Sequence, residues 1–141
     1  RVLFRSTYYL EDGKEITTYF SCEGQFIGTF TSFISQEPSM EILETIEESV
    51  LYSLSYNALQ LLYKEYPKFE RLGRIWAEQN YLCIVERVIV MQTKTGKQKY
   101  LNFIENYHKR IVQCAPQHQI ASFLGIAPES LSRIRREIAT S

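Results

Sequence analysis

The sequence predicts an α+β protein in which strands come first and helices follow. Up to about residue 54, short apolar and alternating runs rich in aromatic and β-branched residues are separated by turn residues, a pattern typical of antiparallel strands. From Ser55 onward, apolar residues recur at three- and four-residue steps, the period of amphipathic helices. These two patterns predict a small antiparallel barrel or sandwich followed by a helical region.

The composition indicates the class of protein, and the distribution of charge indicates which half of the chain can bind a polyanion. The chain has 141 residues, of which 45% are hydrophobic, which is enough for a folded core and excludes a disordered or fibrous protein. Basic and acidic residues cancel overall, but residues 1–70 contain five basic and eleven acidic residues and residues 71–141 contain eleven basic and five acidic ones. The C-terminal half is therefore the part that can face a polyanion.

The cysteine pattern and the hydropathy indicate the compartment. Cys22, Cys83 and Cys114 are far apart and lack neighbouring paired histidines, so neither a disulfide framework nor a metal site is predicted. No apolar run approaches the roughly 20 residues that a membrane helix needs, so we expect a cytoplasmic protein without a membrane partner. The first residues, "RVLFR", lack a Met and resemble the interior of a strand, so we expect a piece of a longer protein.

The N-terminal strands are predicted from their turns. The runs "VLFRSTYYL" and "ITTYF" flank Asp12-Gly13, which can supply the positive φ of a tight hairpin. A Gly-marked stretch, "CEGQFIGTF", follows. The run "SMEILETIEESVLYSL" then alternates apolar residues loosely with acids up to Leu54, as further strands of the same barrel would.

Two helices are predicted next, and the second is unusually long. Ser55 is the expected N-cap of "YNALQLLYKEY", and Pro67 ends that helix and begins one over 67–93. A helix of that length spans roughly 40 Å, more than a small domain covers alone, so we expect its apolar stripe to meet a second copy of the chain. The alternative is an intramolecular helix–helix core. The predicted dimer contacts are Leu72, Trp76, Leu82 and Ile89.

The C-terminal part carries the most informative pattern. One helix is predicted over "TGKQKYLNFIENYHKR", with Tyr100, Leu101, Ile104 and Tyr107 on one face. Two short helices follow: Gln117–Leu124, closed by Gly125, and one opened by Pro128. Ile120, Leu124, Ile126, Leu131 and Ile134 supply a shared apolar seam, and Ala121 allows a close crossing. This spacing is that of a helix-turn-helix.

The outer face of the last helix is polar, as a helix in a DNA major groove requires. Its residues are Glu129, Ser130, Ser132, Arg133 and Arg136. The alternative is a surface helical hairpin whose charged face is simply solvated.

The order of barrel, long helix and helix-turn-helix, with "EGQFIG" in the barrel and "IASFLGIAPESLSRIRR" near the end, resembles the Crp/Fnr family of bacterial transcription regulators. The resemblance implies a cyclic-nucleotide-binding-like jelly roll over 1–66, a dimerisation helix over 67–93 and a winged helix-turn-helix over 94–141 that lacks its wing. It implies a homodimer that binds a palindromic promoter site on double-stranded DNA, with RNA polymerase as a further partner.

The resemblance also suggests roles for individual residues. In "ESLSR", Glu129, Ser132 and Arg133 stand at the spacing that the Fnr branch uses to read bases. The chemistry agrees, because arginine bonds a guanine edge and glutamate accepts from cytosine N4. At the two helix N-termini and beyond them, Gln117, Ser130 and Arg136 are expected to contact the DNA backbone.

The effector pocket departs from the cyclic-AMP-binding pattern. Those members have a Gly-Glu pair after "F-I" and an Arg-Ser pair roughly ten residues later, whereas this chain has Gly28-Thr29 and Pro38-Ser39. Without the arginine a buried phosphate would be uncompensated, and residues 37–48 add acids instead. Gly28, Thr29 and Ser39 mark the corresponding pocket, but we do not expect it to bind cyclic AMP, and its effector is unidentified.

No cofactor is predicted. An iron–sulfur cluster needs several thiolates, and Cys22 is the only cysteine before the long helix. Haem binding stays an open alternative, although its candidate ligands, His108 and His118, lie in the predicted DNA-binding part. An enzyme is not expected, because no nucleophile–base pair or phosphate-binding glycine loop is present. The remaining alternative is an effector-binding or scaffold protein whose helix-turn-helix makes protein contacts.

Overall fold

We describe the protein from a computed structural model that covers residues 3–140. These residues group into two compact units. The first, the sheet–helix unit, combines the described residues up to Val50 with those from Lys94 onward, and the second is Leu51–Thr93. The N-terminal strands and the C-terminal helices thus share one unit. The functional division at residues 66 and 93 stays a prediction.

The sheet–helix unit contains one antiparallel sheet. Its strands are β1 (Leu3–Tyr9), β2 (Glu15–Cys22) and β3 (Glu41–Thr45), in the order β2-β1-β3. The β1–β2 hairpin turns at the predicted place, where Gly13 takes a φ of 79°. The register shifts between Ser6 and Thr7 of β1, so Thr18 is an extra residue on β2.

A short helix, α1 (Phe30–Ser35), lies where a strand was expected. Phe30, Phe33 and Ile34 stand at three- and four-residue spacing, which suits a helix better than a strand. Gln36 ends the helix in the left-handed conformation, with a φ of 59°. The general expectation of strands up to about residue 54 therefore does not hold for this segment.

The jelly roll is not confirmed by the described residues. They form three strands of one sheet, whereas a jelly roll has about eight strands in two sheets. The third strand ends at Thr45 rather than near Leu54. Beyond it, Val50 and Tyr52 have the alternation of a strand, but they lie outside the strands of residues 3–140 and are 80% and 100% exposed.

The second unit consists of α2 (Tyr56–Glu65) and α3 (Pro67–Thr93), with the predicted boundaries confirmed. Ser55 Oγ accepts a hydrogen bond from the Ala58 N–H at 3.2 Å and caps α2. The two helices pack closely where Tyr63 covers Gly73. A Cβ atom at residue 73 would lie 2.1 Å from the Tyr63 hydroxyl oxygen, so a larger residue there would displace the ring.

The single helix predicted over 95–110 is wrong, because the chain breaks at Tyr107 and His108. It forms α4 (Gly96–Asn106) and α5 (Lys109–Cys114). The break is stabilised locally, since His108 Nδ1 accepts a hydrogen bond from the Arg110 N–H. Leu101 is 39% exposed, and the buried place expected for it is taken by Phe103.

An aromatic cluster joins the sheet to the C-terminal helices. Phe20 of β2 lies 5.3 Å from Phe123 of α6 (Gln117–Leu124) and 6.4 Å from Phe103 of α4, measured between ring centroids. Tyr107 packs against both Phe103 and Phe123. These rings fix α6 against the sheet, and α6 in turn positions the last helix, α7 (Pro128–Ala139).

Candidate nucleic-acid interface

The connection between α6 and α7 has the local geometry that the sequence predicted. Gly125 ends α6 with a φ of 63°. Its N–H bonds the Ser122 carbonyl, and the Ile126 N–H bonds the Ala121 carbonyl, each at 3.1 Å, which is the Schellman arrangement. Three residues later Pro128 opens α7 at its first turn. This turn fixes the direction in which α7 leaves α6.

The predicted apolar seam holds the two helices together. Its buried members are Ile120, Leu124, Leu131 and Ile134, and Ile126 is half-buried beside them. Ala121 is fully buried, as expected for a residue at a close helix crossing. The seam leaves one side of α7 free of the core.

The exposed side of α7 carries four polar residues at the positions i, i+3, i+4 and i+7. They are Glu129, Ser132, Arg133 and Arg136, all exposed. This spacing places them on one face of a helix. The structure therefore brings together the three residues predicted to read bases, and Arg136 continues the same face.

The residues predicted to hold the DNA backbone are placed less uniformly. Gln117 is exposed at the first position of α6. Ser130 is half-buried on α7, turned partly away from the exposed face.

The start of α4 lies against α7, which sequence reasoning did not foresee. A Cβ atom at Gly96 would lie 3.4 Å from side-chain carbons of both Ile126 and Ile134. Next to it, the Lys97 ammonium lies 2.5 Å from a carboxylate oxygen of Glu137 on α7. The hydrogen bond and charge of Lys97 lower the pKa of Glu137. The cluster of Lys94, Lys97 and Lys99 was the signal available in the sequence.

Ser122 of α6 attaches this helix to the edge of the sheet. Its hydroxyl accepts a hydrogen bond from the Thr17 N–H at 3.0 Å and donates one to the Glu15 carbonyl at 3.2 Å. Strand β2 is an edge of the described sheet, so its outward backbone groups lack a neighbouring strand. The helix thus covers an edge that would otherwise be open.

Arg110 of α5 makes a second attachment between the helices and the strand region. Its guanidinium donates to both carboxylate oxygens of Glu23 at 2.8 and 2.7 Å, and it also pairs with Glu47. Burial alone would lower the pKa of Arg110, but the two carboxylates outweigh it and raise that pKa. Helices α5 and α6 are therefore held to the strand region by these two polar contacts as well as by the aromatic cluster.

The residues predicted to line an effector pocket are only partly brought together. An open cleft of about 520 Å³ lies beside α1 and β3. Its lining residues are Gly28, Thr29, Ser32, Phe33, Gln36, Glu37, Pro38 and Leu43. Gly28 and Thr29 are therefore at the cleft. Ser39 is not among the lining residues, and its hydroxyl bonds the backbone of Glu41.

The predicted dimer residues lie on α3, which has no buried side chain along its full described length. Leu72, Leu82 and Ile89 are 51%, 58% and 54% exposed, and Trp76 is half-buried. Within the second unit α3 packs against α2. The dimer contact and the alternative of an intramolecular helix–helix core both stay predictions. Among residues 3–140, no helix combines the length and apolarity needed to cross a bilayer.

Comparison with known proteins identifies a solved structure with a similar fold. No protein-family model and no curated protein matches the sequence. Among solved structures, the chain is similar to the global regulator CLP of Xanthomonas campestris, described as responsive to c-di-GMP and as linking cell-cell signalling to virulence gene expression. The TM-score is 0.65 at 15% identity, over 98% of this chain and 73% of that one. The likeness supports a Crp/Fnr-like fold.

Proposed function

We propose that the protein is a sequence-specific DNA-binding transcription regulator of the Crp/Fnr type that acts as a homodimer. The observation that carries this proposal is the exposed face of α7, where Glu129, Ser132, Arg133 and Arg136 stand on one side of a helix held from behind by an apolar seam. Such a face fits the major groove, in which side chains reach base edges. The similarity to a regulator over almost the whole chain supports the same proposal.

Within this proposal, Glu129, Ser132 and Arg133 read bases and Arg136 and Gln117 hold the backbone. Ser130 contributes less, because it is half-buried. The homodimer forms along α3, whose apolar side chains are exposed in the single chain. It places two copies of α7 on a palindromic promoter site, where RNA polymerase is the further partner.

The cleft beside α1 is the proposed effector site, and its ligand is not cyclic AMP. The lining residues, all within the described part of the chain, include the carboxylate Glu37 and no Lys, Arg or His. A phosphate there would meet no compensating charge. The effector class favoured by this lining is neutral or cationic.

The test is selection from random DNA duplexes followed by anisotropy titration at several salt concentrations. We expect Arg133→Ala to lose about 1–3 kcal/mol on the selected site and to relax preference at one base position. Arg136→Ala should weaken all sequences alike and reduce the salt slope by about one unit. Arg135→Ala is the matched control, because Arg135 is half-buried and off the exposed face.

The result that would overturn the proposal is equally specific. If the wild-type protein showed no steep loss of affinity with salt, it would not be a DNA binder, and a protein-binding role for α7 would take its place. If Arg133→Ala and Arg135→Ala selected the same site with equal stringency, Arg133 would not be a reader.

A further inference from the structure

The first turn of α4 lies beside α7, at the end of its exposed face. Gly96 lies close to α7 and the preceding turn, because a Cβ atom at residue 96 would be in van der Waals contact, at 3.4 Å, with side-chain carbons of Ile126 and Ile134. Because Gly96 is fixed, the next residue, Lys97, is fixed beside the C-terminal half of α7. There it meets Glu137, the residue directly after Arg136.

The ion pair between Lys97 and Glu137 is solvent-exposed and therefore exchangeable. The two side chains are 45% and 55% exposed. Exposed pairs of this kind contribute little to stability, because water screens the charges and holding two long side chains costs entropy. Lys97 can leave the carboxylate for a competing anion with little loss.

The C-terminal segment that contains Lys97 is basic. Residues 94–140 contain eight lysines and arginines and three glutamates. Lys94 is exposed three residues before Lys97, and Lys99 is half-exposed after it. The backbone N–H groups of Thr95 and Gln98 are already used in a capping box, so an anion here would be bound by side-chain charge.

We propose that the start of α4 is a second contact with the DNA backbone, in which Lys97 exchanges Glu137 for a phosphate bordering the groove that α7 enters. This contact depends on the proposed function, since the phosphate is that of the DNA bound by α7. Glu137 is then an internal competitor that occupies Lys97 until DNA replaces it. Charge complementarity and continuity with the exposed face of α7 both favour duplex DNA as the occupant.

The first experiment measures the salt dependence of binding to the selected duplex. Each phosphate contact adds about 0.9 to the slope of log affinity against log salt, so Lys97→Gln should reduce the slope by about 0.9. The advantage of the wild-type protein over Lys97→Gln should then shrink by about 3.5-fold between 50 and 200 mM salt. Lys97→Arg should keep the wild-type slope. Lys14→Gln, the same charge change in the β1–β2 turn, is the control.

The second experiment tests the exchange with Glu137. Glu137→Gln should tighten DNA binding when Lys97 is present, and this gain should largely disappear in the Lys97→Gln background. Equal gains in both backgrounds would show a general charge effect and overturn the exchange.

The failure of this inference can be told apart from that of the proposed function. If the wild type binds with a steep salt slope and Lys97→Gln has the slope of Lys14→Gln, only the α4 contact is wrong. If the wild type shows no steep slope, the DNA-binding proposal itself is wrong. Far-UV circular dichroism of each variant confirms that it is folded.

Discussion

Arg5 is a buried, positively charged residue on the central strand of the sheet, β1, and its side chain lies on the face towards the core. It is 6% exposed and lies between Glu15 of β2 and Glu44 of β3, both of which it contacts. Burial alone would lower the pKa of Arg5, but hydrogen bonds and attraction from the two carboxylates outweigh it and raise that pKa. The central strand can carry this charge because both of its neighbours supply a carboxylate.

Glu15 gives this cluster a predictable pH dependence. The hydrogen bond from Arg5 is the main cause that lowers the pKa of Glu15 below its usual value of 4.5. A lowered pKa in the folded state stabilises the protein above the unfolded value and loses this contribution as the pH falls through the folded value. We therefore expect Glu15→Gln to be less stable than the wild type at pH 7, and the difference to shrink progressively below about pH 4.5.

Urea denaturation of both proteins at several pH values between 7 and 3 measures this difference. Glu11→Gln is the control, because Glu11 is exposed in the turn of the same hairpin. A deficit of Glu15→Gln that stayed constant down to pH 3 would contradict the coupling to Arg5.

At the scale of elements, those with local signals were predictable. Ser55 caps the start of α2 and Pro67 begins α3. Gly125 ends α6 and Pro128 begins α7. The capping and φ preferences of these residues act on their immediate neighbours, so they can be recognised in the sequence. The break between α4 and α5 has no Gly or Pro, so the helical spacing of apolar residues on both sides of it predicted one continuous helix. Strand pairing depends on residues far apart in sequence, and for that reason the number of strands was overestimated.

The same distinction applies to the candidate site. The polar face of α7 follows from helical periodicity, so Glu129, Ser132 and Arg133 could be placed together from the sequence. The contact of Lys97 with Glu137 joins residues 40 positions apart and exists because Gly96 packs on Ile134. No local pattern encodes that packing.

Ser122 provides the element-scale prediction. Ser122→Ala would remove the hydrogen-bond acceptor of the Thr17 N–H, and Thr17 is fully buried. A buried donor without a partner costs about 1–3 kcal/mol. We expect a loss of that size in the free energy of unfolding, measured by denaturant titration. Ser132→Ala is the matched control, because it is the same change in a helix at an exposed position, and a similar loss there would contradict the role of Ser122.

At the scale of the whole molecule, α3 is the helix whose apolar side chains stay exposed beside its contact with α2. It has 27 residues and spans roughly 40 Å. Ile75, Leu82 and Ile89 follow one another at seven-residue intervals, which places them along one side of the helix, as in a coiled coil. At about 100° per residue, Leu72 and Trp76 lie roughly 80° and 120° away from Leu82. We therefore expect the dimer contact to centre on the seven-residue series of Ile75, Leu82 and Ile89.

Leu82→Asp tests that contact. In a symmetric dimer each substitution counts twice, and burial of one leucine contributes about 1.5 kcal/mol or more, so the change should weaken the dimer by about 3 kcal/mol, or roughly 100-fold. Placing two carboxylates at the contact adds to this loss. Sedimentation velocity over a range of concentrations measures the dimer dissociation constant of each protein.

Ala77→Asp is the control for this substitution, because the exposed Ala77 lies at least about 100° round the helix from each of the predicted dimer contacts Leu72, Trp76, Leu82 and Ile89. We expect it to leave the dissociation constant within a few-fold of the wild type. The Leu82→Asp protein should also bind a palindromic duplex no more tightly than a single half-site, since only a dimer engages both halves at once. A wild-type protein that sediments as a monomer at tens of micromolar, or a Leu82→Asp protein as dimeric as Ala77→Asp, would show that the apolar side of α3 serves another partner.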